Sequence, residues 1–172
     1  MRIALVIVAI VAALCAVIII IGYMLPAQHR ASRRAAFDIS PDTLFAFISD
    51  VEHYPSWRST VKRVELLPAV NGKQRFREIG DDGTILYEAD VARDASHRIT
   101  RIADTSLPFG GSWTYVVSST PTGSTLRITE DGEVYNPVFR FVSRFVFGHQ
   151  ATIDTYLTDL GRKFRTTAVI TA

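Results

Sequence analysis

One carboxylate falls on an otherwise apolar strand face near the end of the chain. Residues 125–135 alternate in polarity, so Leu126, Ile128 and Glu130 share one face of a predicted strand. An isolated buried charge is costly, and Glu130 must therefore be paired, solvated by a cavity or protonated. One interpretation is a pocket acid that orients a polar ligand group or acts as a general acid.

A structural role for Glu130 is the alternative interpretation. A bulge at Thr129 would turn the side chain outward. A salt bridge would instead neutralise the carboxylate, and Arg58, Arg75 and Arg77 are the candidate partners. The sequence leaves both interpretations open.

Aromatic side chains occupy the inward positions of the other predicted strands. In residues 74–79, Phe76 and Glu78 share one face while two arginines share the other, so either face carries charge. We expect this segment to border the mouth of a cavity or to form an edge strand. The alternation in the later strands is clearer, and it places Tyr87, Trp113 and Tyr115 inward.

A phenylalanine-rich segment follows the last predicted strand. Four phenylalanines fall within nine residues and cannot all lie on one helical stripe, and two arginines stand four residues apart between them. The segment could be a gate or a foot that meets a bilayer, with the arginines reaching anionic headgroups. It could equally pack in the core against the sheet. The phenylalanines and arginines of this segment are Phe139, Arg140, Phe141, Arg144, Phe145 and Phe147.

Signatures of common catalytic centres are missing from the sequence. There is no GxSxG, no HExxH and no glycine-rich phosphate loop, and the four histidines lack ligand spacing. The single cysteine, Cys15, lies in an apolar run, so no intrachain disulfide and no cysteine-based metal site is possible. We therefore predict no cofactor and no metal.

The chain begins with a long uncharged run. Residues 3–25 carry no charge, and as a helix they would extend about 34 Å, enough to cross a bilayer core. A cleaved signal peptide is the alternative. However, the run exceeds the ~7–15 residues of a signal core, and Leu25 stands where a small residue should precede a cleavage point at Ala27. We predict an uncleaved anchor at residues 1–27.

Charge is nearly balanced over residues 28–172, which we interpret as one domain. The chain has 19 Lys and Arg, of which one is Arg2, and 17 Asp and Glu. Binding of nucleic acid through net charge is therefore disfavoured. Arginines after the anchor outnumber the charges before it, which favours a domain on the cytoplasmic side of the plasma (inner) membrane. The arginines that follow the anchor are Arg30, Arg33 and Arg34.

The periodicity of the domain predicts an α+β fold. Residues 31–37 form a first strand, Ser40 caps a short helix, and residues 50–57 form a second short helix or turn. Helical spacing over residues 137–167 indicates a long C-terminal helix. Between them, short turns connect strands into an antiparallel meander, at residues 61–67, 74–79, 84–92, 97–103, 111–118 and 125–135.

Residues 37–58, FDISPDTLFAFISDVEHYPSWR, resemble the opening of the START-like helix-grip superfamily. The similarity is strongest to its polyketide cyclase/dehydrase, or SRPBCC, branch, and it extends over about residues 30–168. It implies a curved antiparallel sheet of about seven strands, two short helices and a long C-terminal helix that enclose a cavity. The transmembrane helix that precedes this domain is a departure from the usual soluble members.

The resemblance also implies where a ligand binds. In similar proteins the region after the first short helix lines one end of the cavity, which here includes Tyr54, Trp57 and Arg58, although Trp57 could simply plug the core. Together with the residues above, the predicted ligand-binding set is Tyr54, Trp57, Arg58, Phe76, Tyr87, Trp113, Tyr115, Glu130, Phe141 and Phe145.

The family includes lipid and sterol carriers, coenzyme Q chaperones, hormone receptors, aromatases or cyclases, and inert binders. The anchor favours a membrane-resident ligand, so our leading hypothesis is binding or transfer of a small hydrophobic molecule such as a lipid or quinone. A cyclase or dehydratase is the second hypothesis, with Glu130 or Tyr87 as acid or base and Arg77 holding a carbonyl. A non-catalytic envelope domain that binds a protein is the third.

Overall fold

An N-terminal helix and a seven-stranded antiparallel sheet dominate the computed structural model of the chain. It describes residues 1–90, 96–166 and 170–171, and of residue 147 only the backbone. The sheet order is β1-β7-β6-β5-β4-β3-β2. The elements are α1 (Arg2–Met24), β1 (Gln28–Phe37), α2 (Pro41–Ser49), a 3₁₀ helix (Val51–Ser56), β2 (Arg63–Val70), β3 (Lys73–Gly80), β4 (Gly83–Asp90), β5 (His97–Ile102), β6 (Phe109–Thr120), β7 (Gly123–Val134), α3 (Pro137–Val142), a π-helical turn (Ser143–Phe147) and α4 (Ala151–Lys163).

The predicted fold is confirmed, with small shifts at the strand ends. Each predicted strand overlaps one observed strand, and the turn at Asn71 and Gly72 has the positive φ angles that suit a tight hairpin. The predicted strand at 84–92 corresponds to β4, and its last two residues lie outside the described residues. The antiparallel meander follows directly from these short connections.

Helix α1 is long and apolar enough to cross a membrane. Its side chains are exposed over nearly the whole length, and only three residues separate its end from β1. Length and composition alone also fit a signal sequence.

The last turn of α1 packs directly against the start of α3. Gly22 is the buried residue of α1, and a Cβ added there would lie 2.0 Å from the main-chain oxygen of Pro137. Because the obstacle is backbone, a larger side chain forces the two helices apart. Glycine at this position therefore sets the placement of α1 on the domain.

Gly22→Val is expected to separate α1 from α3. Amide hydrogen exchange should become faster over residues 137–142, while exchange over α4 stays unchanged, because only the α1 contact is disturbed. The matched control is Ala13→Val, since Ala13 is exposed on the same helix. Equal exchange in α3 for both variants would show that this packing does not hold α3.

Ser40 starts α2 as predicted. Its hydroxyl oxygen accepts a hydrogen bond from the Thr43 amide at 3.2 Å, and Pro41 occupies the first helical turn. The apolar side of α2 is buried in the core through Leu44, Phe45 and Ile48. Helix α2 is thus fixed at both its start and its inner face.

Ser40→Ala is expected to destabilise the domain by about 1 kcal/mol, because the first turn of α2 loses its cap. Chemical unfolding of the full chain in mild detergent measures the effect. Ser106→Ala serves as the control, because the Ser106 hydroxyl bonds only Asp104 in an exposed turn. A loss no larger than in the control would contradict the capping role.

The predicted helical region 137–167 contains α3, the π-helical turn and α4 rather than one continuous helix. Gly148 lies at the break with φ 75°, a conformation that interrupts a right-handed helix and that glycine adopts readily. Helix α4 restarts at Ala151. The terminal helix is therefore shorter than the sequence spacing predicted.

Helix α4 is fixed to the sheet side of the molecule near both of its ends. Near its C-terminal end, the buried Asp159 accepts hydrogen bonds from the amide and the hydroxyl of Ser59, each at 2.7 Å. In its first turns, Asp154 accepts a hydrogen bond from Arg33 of β1 at 3.0 Å. These contacts hold the inner face of α4 over the inward aromatic residues of the sheet.

Candidate functional site

A small cavity lies between the inner face of the sheet and the first half of α4, and we call it the inner cavity. Its volume is about 40 Å³. Strands β3 to β7 form its floor, α4 covers it, and the 3₁₀ region closes one end. The lining residues are Tyr54, Arg58, Phe76, Glu78, Tyr87, Thr100, Trp113, Tyr115, Ile128, Thr152, Ile153 and Tyr156.

A buried ion pair supplies the charge in the inner cavity. Nη1 of Arg58 donates a hydrogen bond to Oε1 of Glu78 at 2.5 Å, and the two side chains are only 14% and 11% exposed. Glu78 faces inward because it alternates with Phe76 on β3. The rings of Tyr54 and Tyr156 lie 4.8 and 5.3 Å from the guanidinium carbon, a cation–π arrangement that further stabilises the arginine.

Burial and charge act in opposite directions on this pair. Burial raises the pKa of Glu78, and the Arg58 guanidinium only partly offsets that rise. Burial would lower the pKa of Arg58, but the Glu78 carboxylate and the neighbouring tyrosines outweigh it and raise the pKa above its usual value. Arg58 is therefore the fixed positive charge of the inner cavity.

Four tyrosines surround the ion pair. Burial raises the pKa of Tyr54, Tyr87, Tyr115 and Tyr156, so their hydroxyls are neutral at physiological pH. The Tyr54 hydroxyl donates to the Ile48 carbonyl at 2.8 Å. The Tyr156 hydroxyl is buried and makes no well-aligned hydrogen bond among the described residues, although it lies close enough to the Tyr54 hydroxyl to lower the pKa of Tyr54. It is one of the polar groups in this cavity that a ligand could contact.

The inner cavity is small. A water molecule needs roughly 10–15 Å³ of such volume, so about three waters fit. A lipid-sized ligand requires displacement of a wall. Helix α4 forms the wall opposite the sheet, and its N-terminal half borders the cavity.

Glu130 is buried on the inward face, as the strand alternation predicted, and it lies just outside the cavity lining. Its carboxylate accepts a hydrogen bond from Nε1 of Trp113 at 2.9 Å and lies 3.3 Å from Nε2 of His29. Trp113 lines the inner cavity, so this chain of contacts leads from the cavity wall to β1. Glu130 positions Trp113 rather than facing the cavity itself.

The predicted pairing of Glu130 with an arginine is wrong. Arg58 binds Glu78, while Arg75 and Arg77 lie on the opposite face of β3. Each of these two outward arginines pairs with a glutamate on a neighbouring strand, because the strand register places the two side by side. Arg75 lies 3.1 Å from Glu88, and Arg77 lies 3.7 Å from Glu65. Arg77 is therefore not placed to hold a carbonyl in the cavity.

Of the predicted ligand-binding residues, six line the inner cavity: Tyr54, Arg58, Phe76, Tyr87, Trp113 and Tyr115. Trp57 lies behind the lining, with its ring 5.1 Å from Tyr156 and 5.5 Å from Tyr54. Phe141 and Phe145 are not in the lining. Their rings pack on each other at 4.9 Å in α3 and the π-helical turn, because the break at Gly148 separates that segment from α4.

Sequence reasoning missed several lining residues. Thr100 lies on β5, and Thr152, Ile153 and Tyr156 come from α4. The helical spacing of Ile153 and Tyr156 placed them on the apolar side of a terminal helix without assigning them to the cavity. Glu78 had a usable signal, namely its shared face with Phe76.

Among the described residues, no group of three His, Cys, Asp or Glu side chains could hold a metal ion. The chemistry available in the inner cavity is therefore that of aromatic surface, one guanidinium, one paired carboxylate and neutral hydroxyls. Such a set can enclose an apolar body and hydrogen-bond one polar group on it.

Comparison with protein families gives one match. A family model described as polyketide cyclase/dehydrase and lipid transport matches residues 28–164. No curated protein matches the chain in sequence. The family match covers the sheet and α4 and leaves out α1.

Solved structures share the fold at low identity. The Zhui aromatase/cyclase from Streptomyces sp. R1128 aligns with a TM-score of 0.64 and 14% identity, covering 80% of this chain and 94% of that one. A START superfamily protein from Mycobacterium smegmatis aligns at 0.59 and 15%, covering 80% and 97%. The chain spans only 48% of the di-domain ARO/CYC protein BexL of the BE-7585A pathway, at 0.57 and 14%, with 82% of this chain covered. At these identities the likeness concerns the fold alone.

Proposed function

The chain belongs to the polyketide cyclase/dehydrase and lipid transport family, and from this we propose that it is a membrane-anchored binding protein for a small, mostly apolar molecule. The ligand would lie between the sheet and α4, in an enlarged form of the inner cavity. Shielding the ligand from water, and releasing it again, would be the whole activity. No catalytic group is required.

The observation that carries this proposal is the composition of the inner cavity. Aromatic rings from β3, β4 and β6 face α4, and their contact with a ligand would remove apolar surface from water. Burial contributes roughly 25 cal/mol per Å², so covering about 300 Å² of ligand gives about 7.5 kcal/mol before ordering costs. This is enough for a useful affinity without any covalent or metal contact.

The polar groups of the cavity would set the orientation of the ligand. The Arg58 guanidinium has donors beyond the one that Glu78 uses, and among the described residues the buried Tyr156 hydroxyl has only the neighbouring Tyr54 hydroxyl as a polar contact. Both can donate to an oxygen. The favoured ligand class therefore carries one acceptor, such as a carbonyl, hydroxyl or carboxylate, on an apolar body.

The short connection from α1 supports placement of the domain at a bilayer. Three residues separate α1 from β1, so a domain held by this helix stays within a few ångströms of the membrane surface. We place the domain on the cytoplasmic side, since Arg30, Arg33 and Arg34 follow the helix. Protease treatment of sealed vesicles tests this orientation. The domain should be cleaved in inverted vesicles and protected in right-side-out vesicles.

Saturable uptake of a fluorescent fatty acid tests the proposed function. The delipidated full chain in mild detergent should bind cis-parinaric acid at one site, because the probe combines an apolar chain with an acceptor group. Empty micelles provide the control for partitioning into detergent. A titration that never departs from the empty-micelle line would contradict the proposal.

A cyclase-like activity is a second candidate, and the buried Tyr156 hydroxyl beside Arg58 is the observation in its favour. Tyr156 and Arg58 together could polarise a carbonyl of a polyketide-like substrate. If the protein acts in this way, Tyr156→Phe should abolish turnover and leave ligand binding nearly unchanged. A pure carrier has no turnover to lose.

A further inference from the structure

A second and larger cavity lies where α1 meets the domain, and we call it the outer cavity. Its volume is about 330 Å³. Its walls are the connection from α1 into β1, the end of β7, α3 and the π-helical turn, together with His149. It is distinct from the inner cavity, since no residue lines both.

The lining of the outer cavity is strongly basic. It contains three arginines, two histidines and no carboxylate, and the arginines carry the charge, because burial and the neighbouring His29 and Arg144 lower the pKa of His149. Nearby acids pair with part of this set: Asp131 lies 3.4 Å from Arg30, and Glu130 lies 3.3 Å from His29. Among the described residues, no carboxylate pairs with Arg140 or Arg144, so both charges remain without a counterion.

Arg140 is held rigidly toward this space. Its guanidinium donates to the main-chain carbonyls of Val134, Tyr135 and Leu25, at 2.7, 3.2 and 3.4 Å. Carbonyl oxygens fix the orientation of the guanidinium but leave its full charge in place. In addition, Nδ1 of His149 is buried without a hydrogen-bond partner among the described residues. The fixed guanidinium favours an anionic group with several acceptor oxygens, and the His149 nitrogen is a further polar atom that a ligand could contact.

The outer cavity sits at the level of a membrane surface if α1 spans the bilayer. Leu25 and Pro26, which line it, directly follow the end of α1. Beside it, the side chains of Phe139, Phe145 and Val146 are 52%, 60% and 65% exposed, an apolar patch that a bilayer would cover. The interpretation of this segment as a foot that meets the membrane thus fits its exposure, whereas core packing does not.

We propose that the outer cavity binds the phosphate of an anionic phospholipid headgroup. Arg140 and Arg144 would contact the phosphate oxygens, and the acyl chains would extend along α1 and the exposed phenylalanines. The site goes beyond the proposed carrier function and shares with it only the placement of α1 in a membrane. The lipid would fix the domain against the bilayer, with the outer cavity occupied independently of the inner one.

Lipid binding to the full chain in mild detergent tests this proposal. Native mass spectrometry compares titrations with phosphatidylglycerol, phosphatidylcholine and inorganic phosphate. Phosphatidylglycerol is expected to bind at least about fivefold more tightly than phosphatidylcholine, since each surface arginine contributes roughly a fivefold change in affinity for anionic lipid. Inorganic phosphate, which lacks acyl chains, is expected to compete only weakly.

Arg144→Gln should reduce this preference for phosphatidylglycerol about fivefold, and because Arg144 is exposed the variant keeps the fold. Arg127→Gln is the matched control, an exposed arginine on β7 outside the cavity lining. Equal affinity for the two lipids overturns the proposal, as does an equal loss in the control. Binding of inorganic phosphate as tight as that of phosphatidylglycerol overturns a lipid ligand. Fatty acid uptake by the inner cavity should be unchanged in Arg144→Gln.

Discussion

Replacing Arg58 with methionine is expected to lower the free energy of unfolding by about 3–5 kcal/mol, because the Glu78 carboxylate then stays buried without its partner. Urea unfolding of the full chain in mild detergent, followed by tryptophan fluorescence, measures the loss. Binding of cis-parinaric acid should also weaken, since its carboxylate loses the fixed positive charge of the inner cavity.

A double-mutant cycle separates these two effects. Arg58→Met/Glu78→Met should recover most of the stability, because replacing both members of a buried pair with apolar groups is often neutral. Binding of the fatty acid should not recover, because no charged donor remains. A double variant as unstable as Arg58→Met would show that the arginine stabilises the domain through packing and not through the ion pair.

The pH dependence of Arg58→Met follows from the same pair. Burial raises the pKa of Glu78 above its unfolded value, and removal of Arg58 takes away the influence that opposes this rise. Between the unfolded and the folded pKa of Glu78, the folded variant therefore holds a proton that the unfolded chain has lost. The stability from Glu78 is present at low pH and is lost as the pH rises through the folded pKa. The loss of stability of Arg58→Met, relative to the unaltered chain, should be smaller at about pH 5 than at about pH 8. A deficit independent of pH would contradict this assignment.

Thr152→Trp is expected to reduce uptake of the fatty acid at least about tenfold. Thr152 lies in the first turn of α4, and it is exposed and yet lines the inner cavity, which places it at the mouth of that cavity. An indole there fills the entrance without altering the buried floor. Stability should change little, because the position faces solvent.

Thr158→Trp provides the matched control. It makes the same substitution on the exposed side of the same helix, at a residue outside the cavity lining. Uptake should equal that of the unaltered chain. If the two variants lose uptake equally, the ligand does not enter beside the first turns of α4.

Much of the fold could be predicted because its signals are local. Ser40 and Pro41 mark the start of α2, and Asn71 with Gly72 marks a hairpin, so short connections and alternation together imply the meander. The break in the terminal helix had a local signal as well, in Gly148. Helical spacing on both sides of it masked the interruption, since the apolar positions of α3 and α4 continue one pattern.

The partners of the buried charges could not be predicted in the same way. Alternation correctly placed Glu130 and Glu78 on inward faces, but a partner depends on strand register and on segments outside the sheet. His29 reaches Glu130 because β1 pairs with β7, although the two residues are 101 positions apart in sequence. Arg58 reaches Glu78 from the segment after the 3₁₀ helix. Neither distance can be obtained from spacing along one strand.

Native mass spectrometry of the full chain, extracted in mild detergent without delipidation, tests the central proposal most directly. We expect one bound apolar molecule of defined mass, present in Thr158→Trp and strongly reduced in Thr152→Trp, in addition to any phospholipid at the outer cavity. A chain that carries no such mass, or that carries it equally in both variants, would contradict binding of a ligand in the inner cavity.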